Sequence, residues 1–596
     1  MRGNELVKGI GLLRPDTPNL ADRAELAINC LTRIVDPALD YEPYFGVMLN
    51  NNPPRLTHNL SDFADLCGRF TDALILARQM SGSKSNIEVD EKIRSLLVSC
   101  IKEDGSIQLP DRPWTRGYSG IFLTGAISPW LAPYSIKGLV TWYLSTHDEE
   151  VRTYLDRMIK GLSEAAVKKE DYWYYPSEVY SPSKGWDSTE EPSPEKTSGG
   201  CPMVTVSGYG IRFLVRYIEE TGDEKAIELA ENLINWAVYH SKGYFAKDGS
   251  SFGGGYNPDG TPWFSCFVCA TATIAGVLRY GLYARREDLV EWAKREFDFC
   301  VTRASTFGWT PEFAPPIPHG GTYSETCCIH DMIDISIMLA EAGWEEYWNN
   351  AERYGRNHLL ESQLIDIDQV KKLPPEYRID MKSPSEESSY TERDVLERVR
   401  GGFGLVRPND FFTTRAYQGM MGCCHPHGTR ALYLLWHHAV AKKEEGVFVN
   451  LLFSRDTPWV EVNSHLPYEG KIEIVVHNAP TVLVRTPDWV ERTEVQVFKN
   501  NEAAKFIWSK SYVKVVGLRP SNRLTVTFPL KRKVEKEFIK DGKNIEYTVE
   551  WKGDTVISIS PPGDLFPLYQ RAHFRSDEAP LREDITYHVP KEEIHW

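Results

Sequence analysis

The apolar positions of this chain change period once, near residue 445. From about residue 20 to 445 they recur at three-and-four spacing, as in helices that bury one face. Leu20–Ile34 and Ile87–Ile101 are two such segments. A larger unit then repeats roughly every 55 to 75 residues: an apolar helix, a short polar turn, an amphipathic helix. Ser135–Leu144, Gly210–Ile218 and Ala270–Leu282 are apolar members. The turns begin at Thr146, Thr221, Ala284 and Ala342, and each carries two or more charged residues ahead of the next helix. Repeated helical hairpins make either a solenoid or a closed barrel of paired helices. The long irregular inserts 171–202 and 242–262 favour a barrel whose loops build a site at one end.

Beyond residue 445 the apolar positions alternate. Gly446–Phe453, Lys471–Val476, Thr481–Arg485, Glu494–Phe498, Tyr512–Val516 and Arg523–Phe528 read as strands separated by turn residues, the pattern of an antiparallel β-sandwich. The expected class is therefore mainly α with C-terminal β. The expected divisions are a helical domain over 1–445, a β-sandwich over 446–575 and a polar tail over 576–596 that wraps or frays. With 596 residues the chain is long enough for two or three domains, or for one large barrel with an appendage.

A net charge of −15 argues against nucleic acid or an anionic membrane as partner. The 70 aromatic residues (17 Trp, 29 Tyr, 24 Phe) suit a large core first and a sugar-binding cleft second. No N-terminal basic-then-apolar pattern is present, and no run reads as long and apolar enough to span a bilayer. The 11 cysteines are odd in number, and the paired ones are vicinal, which points to reduced thiols and a cytoplasmic location.

Two of those pairs carry the chemistry. Glu325-Thr-Cys327-Cys328 precedes one helix-like run, and Gly422-Cys423-Cys424-His-Pro-His-Gly-Thr-Arg430 opens another. Two helix N-termini presenting soft ligands can converge on one metal, and Glu325, Cys327, Cys423 and Cys424 form a set that suits Zn²⁺. A thiolate at a helix N-terminus also suits a sulfur nucleophile. Cys30, Cys67, Cys100 and Cys300 read as core packing, as do Cys266 and Cys269. Cys328 points about 100° away from Cys327 on a helix and reads the same way. His330, His425 and His427 read as surface or capping residues rather than further ligands.

Over most of its length the sequence resembles the β-L-arabinofuranosidases of glycoside hydrolase family 127 and their relatives. Tyr323-Ser-Glu-Thr-Cys327, the run Gly422–Arg430, Thr486-Pro-Asp-Trp-Val and Thr527-Phe-Pro-Leu carry the resemblance. It implies an (α/α)6 barrel followed by a β-sandwich, and a Zn²⁺ held by Glu325, Cys327, Cys423 and Cys424. It also implies Cys423 as nucleophile and Glu312, in Thr310-Pro-Glu-Phe313, as acid/base. The chain departs from the family where histidines commonly touch the sugar. By register those positions hold Tyr134 and Tyr209 and lie near Val268, and His425-Pro-His427 replaces the commoner proline–asparagine pattern. A retained metal and reaction class with altered sugar specificity is expected, with Tyr134, Tyr209, Trp263 and His319 lining the cleft.

The substrate is then a small glycoside or oligosaccharide, and the exposed β-region is compatible with a homodimer. Two other readings stand beside this one. One is another sugar enzyme on the same barrel, an epimerase or unsaturated-uronide hydrolase. The other is a non-catalytic carbohydrate-binding scaffold with a structural zinc.

Overall fold

The structure is a computed structural model that describes residues 13–596 apart from 64, 117–119, 194–196, 199–200, 242–243, 246–254, 257–261, 264, 315–322, 379–389, 413–418, 540–544 and 584. The first helix, α1 (Leu20–Arg33), lies outside a ring built from the paired helices of the sequence. The pairs are α2 (Leu66–Ser81) with α3 (Glu88–Ser99), α4 (Ala132–Thr146) with α5 (Glu149–Ala165), and α6 (Ile211–Thr221) with α7 (Glu224–Asn235). They continue with α8 (Phe267–Ala284) and α9 (Glu287–Val301), then α10 (Thr326–Glu341) and α11 (Tyr347–Tyr354). The last inner helix, α12 (Cys424–Ala439), is covered by α1. Around the inside, α2, α4, α6, α8, α10 and α12 touch in that order, and α12 returns to α2. The ring closes, so the fold is an (α/α)6 barrel rather than an open solenoid.

The polar turns of the repeat act as caps. Asp148 accepts the N–H of Glu150 ahead of α5, and Asp223 accepts that of Ala226 ahead of α7. Each satisfies a backbone donor that the first helical turn leaves free. Glutamates follow in the first turn, where the helix dipole favours them. The inner helices are buried over most of their surface because outer helices cover one side and the barrel interior the other. This corrects one expectation. By length and composition α8, with mean hydropathy 1.3, could cross a membrane, yet 78% of it is buried inside the protein.

The crossing of α2 and α4 is glycine-made. A Cβ on Gly68 of α2 would sit 2.1 Å from the Tyr134 carbonyl oxygen, and one on Gly138 of α4 2.4 Å from the Gly68 carbonyl oxygen. Two backbones can approach this far only without side chains between them.

The C-terminal β-region has two stacked sheets around a core of its own that runs from Val440 to Phe528. One sheet has the order Val440–Lys443, Gly446–Val449, Thr481–Arg485, Tyr512–Val516, Ile507–Ser509. The other has the order Arg455–Asp456, Val460–Ser464, Lys471–Val476, Arg523–Thr527, Gln496–Lys499, Glu502–Ala503. Most pairings are antiparallel, but Gly446–Val449 lies parallel to Thr481–Arg485.

A third sheet, Arg532–Ile539, Ile545–Lys552 and Thr555–Ser560, joins the barrel's core through Tyr547, Val549, Trp551 and Ile559. The final residues wrap. Ile594 and Trp596 belong to the barrel core. The Trp596 ring lies 3.7 Å from the Arg430 guanidinium carbon, and its Nε1 donates to Thr141 Oγ1 at 3.1 Å.

Candidate metal centre and active site

α10 and α12 present their N-terminal ends to the same end of the barrel. Cys327 lies in the first turn of α10, Cys424 opens α12, and Cys423 is the residue immediately before it. Their three sulfurs lie within 4.8 Å of one another, and all three residues are buried. The triangle suits a soft divalent ion: neighbouring sulfurs on a tetrahedral Zn²⁺ stand about 3.8 Å apart, as a Zn–S bond of about 2.3 Å requires. Cys327 Sγ also points to the Cys423 carbonyl at 3.7 Å. The three thiols are not equivalent. Cys423 is 7% exposed, Cys327 2% and Cys424 fully buried, so Cys423 has the most open face.

Charge is unequal as well. The neighbouring Cys327 and Cys424 side chains, with the nearby Arg69, hold the Cys423 thiol well below the usual value. Burial and the neighbouring sulfur push Cys327 up.

Glu325 is the N-cap of α10 and is buried. It lies outside the 4.8 Å sulfur triangle. Burial and then the charge of Glu312 push its carboxyl up, with Cys266 and Cys423 also close. Glu312 is itself buried. Its N–H donates to the Tyr323 carbonyl at 2.9 Å, and its carbonyl accepts the Phe267 N–H at 2.7 Å, which fixes it at the head of α8. The structure thus brings both glutamates and Cys423 to one end of the barrel.

Tyr134 and Tyr209 stand at the same end with ring centroids 5.0 Å apart. The Arg69 guanidinium carbon lies 3.5 Å from the Tyr134 ring centroid, close enough for a desolvated cation–π contact. Arg69 Nε pairs with Asp65, and Nη1 lies 2.9 Å from His427 Nδ1. That same His427 nitrogen is 2.9 Å from Cys327 Sγ.

The histidines correct the sequence reading, because all three are buried rather than on the surface. His425 Nδ1 accepts the Phe403 N–H at 3.0 Å, and His330 Nδ1 is 2.8 Å from Asp331. Cys328 is buried packing, as expected. His319 and the side chain of Trp263 lie outside the described residues. Sequence reasoning missed Asp65 and Arg69. Their only signal is an opposite-charge pair four residues apart at the start of α2, the usual mark of a solvated helix face.

No family model and no curated protein matches the sequence. Solved structures do match. A glycoside hydrolase family 127 β-L-arabinofuranosidase from Geobacillus stearothermophilus T6 is 14% identical with a TM-score of 0.53, over 91% of this chain and 80% of that one. A family 127 β-arabinofuranosidase is 14% identical with a TM-score of 0.55, over 91% of this chain and 85% of that one. A further structure described as a glycoside hydrolase is 13% identical with a TM-score of 0.55, over 88% of this chain and 84% of that one. At these identities the likeness is one of fold, and it extends through both the barrel and the β-region.

Proposed function

We propose that this chain is a zinc-dependent retaining glycoside hydrolase with a cysteine nucleophile, similar to the β-L-arabinofuranosidases but with altered sugar specificity. One observation carries the reading. Cys423, the most exposed member of a buried triangle of thiols, sits at a helix N-terminus on the barrel end that also holds Glu312. The shared fold supports it.

Cys327, Cys423, Cys424 and, by reorienting its carboxylate, Glu325 would hold the metal. When bound, zinc keeps the cysteine sulfurs ionised and weakens their basicity, so that sulfur can both attack and leave. Cys423 Sγ attacks the anomeric carbon while the Glu312 carboxyl gives its proton to the departing oxygen. A C–S bond forms as the C–O bond breaks. Glu312, now a carboxylate, takes a proton from water, whose oxygen displaces the sulfur, and two inversions return the original configuration.

Tyr134 and Tyr209 stand where relatives commonly present histidine. Both rings are almost fully buried, 1% exposed each, so they replace imidazoles with packed rings at this end of the barrel, which fits a changed sugar. Arg69, held by Asp65 and stacked on Tyr134, orients that wall.

The test is hydrolysis of a panel of aryl furanosides and pyranosides, read together with intact-protein mass. Wild type should turn over at least one member. Cys423→Ala and Glu312→Gln should each lose about 10³-fold or more in kcat, the scale of losing a nucleophile or its proton donor. A sugar adduct mapped to Cys423 would establish the thioglycoside route. Metal binding without turnover or adduct across the panel would sink the proposal in favour of a structural metal in a carbohydrate-binding scaffold.

A further inference from the structure

A second cluster of ligand-type side chains lies in the polypeptide leading into α2. Among the described residues, Glu42, His58 and Asp62 form the one group besides the thiols whose ligand atoms all lie within 4.8 Å of one another. All three are buried, and the two carboxylates fully so. His58 Nδ1 is 2.8 Å from Asp62 Oδ2 and 3.5 Å from Glu42 Oε1. The imidazole is clamped between two rings, Tyr44 at 4.0 Å and Trp114 at 4.8 Å between centroids. Its far nitrogen, Nε2, faces Asp36 Oδ2 at 3.5 Å, and that carboxylate is itself held by the Tyr44 hydroxyl at 2.8 Å. A carboxylate behind the outer nitrogen of a histidine is how proteins orient an imidazole toward a metal.

The cluster has more negative charge than its neighbours neutralise. Glu42 faces Arg112, whose Nε stands 3.6 Å from its Oε2, beyond hydrogen-bond reach, and Asp36 lies within the field of Arg398. Glu42 Oε1 accepts the Trp114 indole N–H at 2.7 Å, but Oε2 has no hydrogen-bond partner. A buried carboxylate oxygen left without a hydrogen bond is costly, and one in such a group calls for a cation. One divalent ion balances Glu42 and Asp62, while Arg398 acts on Asp36. Asp36 and Tyr44, which flank His58, also line a cavity of about 980 Å³ open to the surface beside α1.

We propose that Glu42, His58 and Asp62 bind a second metal, a divalent first-row ion of the zinc or manganese type. One imidazole and two carboxylates are a harder donor set than three thiolates, so the two sites differ in metal preference. The ion also braces the thiol site from behind. Asp62 Oδ1 holds the Phe45 N–H at 3.0 Å, and the Phe45 carbonyl accepts the N–H of Gly422, the neighbour of Cys423, at 2.7 Å.

Cobalt(II) titrated into the metal-free full chain tests this. Thiolate-bound cobalt gives an intense sulfur-to-metal band in the near ultraviolet, and cobalt held by nitrogen and oxygen does not. Two equivalents should bind to wild type, only one of them raising that band. His58→Gln should lose the equivalent without the band and keep the other, and Cys424→Ser should show the reverse. A single equivalent in wild type, carrying all of the band, would overturn the proposal, whatever becomes of the variants. So would unchanged stoichiometry in His58→Gln with only a lower melting temperature. That result would assign the three side chains to a shared proton instead. Because the second equivalent is read apart from the thiol band, this outcome does not depend on whether the thiol site is catalytic.

Discussion

At the scale of single residues, the thiol site was legible because two vicinal cysteine pairs, each just ahead of an apolar run, are rare in a sequence and point to helix N-termini. Asp65, Arg69 and the burial of His427 were not. Arg69 and His427 are 358 positions apart, and nothing in the neighbourhood of either announces the other. Arg69 yields a prediction. It is buried with Asp65, so Arg69→Met would leave a carboxylate uncompensated in the interior, at a cost of about 3–5 kcal/mol. Urea unfolding should show that loss. Arg69→Lys should recover only part of it, because an ammonium keeps the charge but not the flat face that lies on Tyr134. Full recovery by lysine would mean that the stacking contributes nothing.

At the scale of elements, the helices and most strands followed from the two periods, because burial on one face imposes a repeat that the residues carry. Pairing direction did not follow. Gly446–Val449 and Thr481–Arg485 alternate as any antiparallel strands would, yet they lie parallel, since direction is set by where the intervening chain returns. The crossing of α2 and α4 is another feature that only the assembled structure reveals. It fixes how Arg69, the residue after Gly68, meets Tyr134, whose carbonyl lies at the glycine contact. Gly68→Ala should therefore force the two backbones apart and cost roughly 3 kcal/mol, the upper range for overpacking. Differential scanning calorimetry would show a lower melting temperature, and the variant should also lose activity on any substrate the wild type hydrolyses. A neutral substitution would mean that the helices can separate without consequence.

At the scale of the molecule, the polar composition of the last twenty residues hid a structural role, because the two that matter, Ile594 and Trp596, are too few to make a pattern. The tail is held by His437, whose Nδ1 lies 2.7 Å from Glu593 Oε2 and whose Nε2 lies 2.9 Å from His595 Nδ1, beside Arg455 and His438. Burial pushes His437 down to about 4. Its folded value is below the ordinary 6.5, so the unfolded chain takes up the proton first. The contribution is complete above about pH 6.5 and is lost as pH falls toward 4. Glu593, drawn to about 2 chiefly by His437 and Arg455 against the cost of burial, stays ionised through that window. Between pH 7 and 5 the stability of wild type should fall by on the order of 2 kcal/mol more than that of His437→Gln. Equal slopes for the two proteins would remove His437 from the account.

The closed ring also has a consequence for synthesis. Asp72 and Arg430, joined across the seam between α2 and α12, are 358 residues apart, and Cys327 meets the Cys423 backbone across 96. While the chain leaves the ribosome, the first five inner helices wait with one flank open, and Cys327 lacks its partners until the sixth arrives. That thiol is then exposed to oxidants for as long as translation of the intervening segment takes.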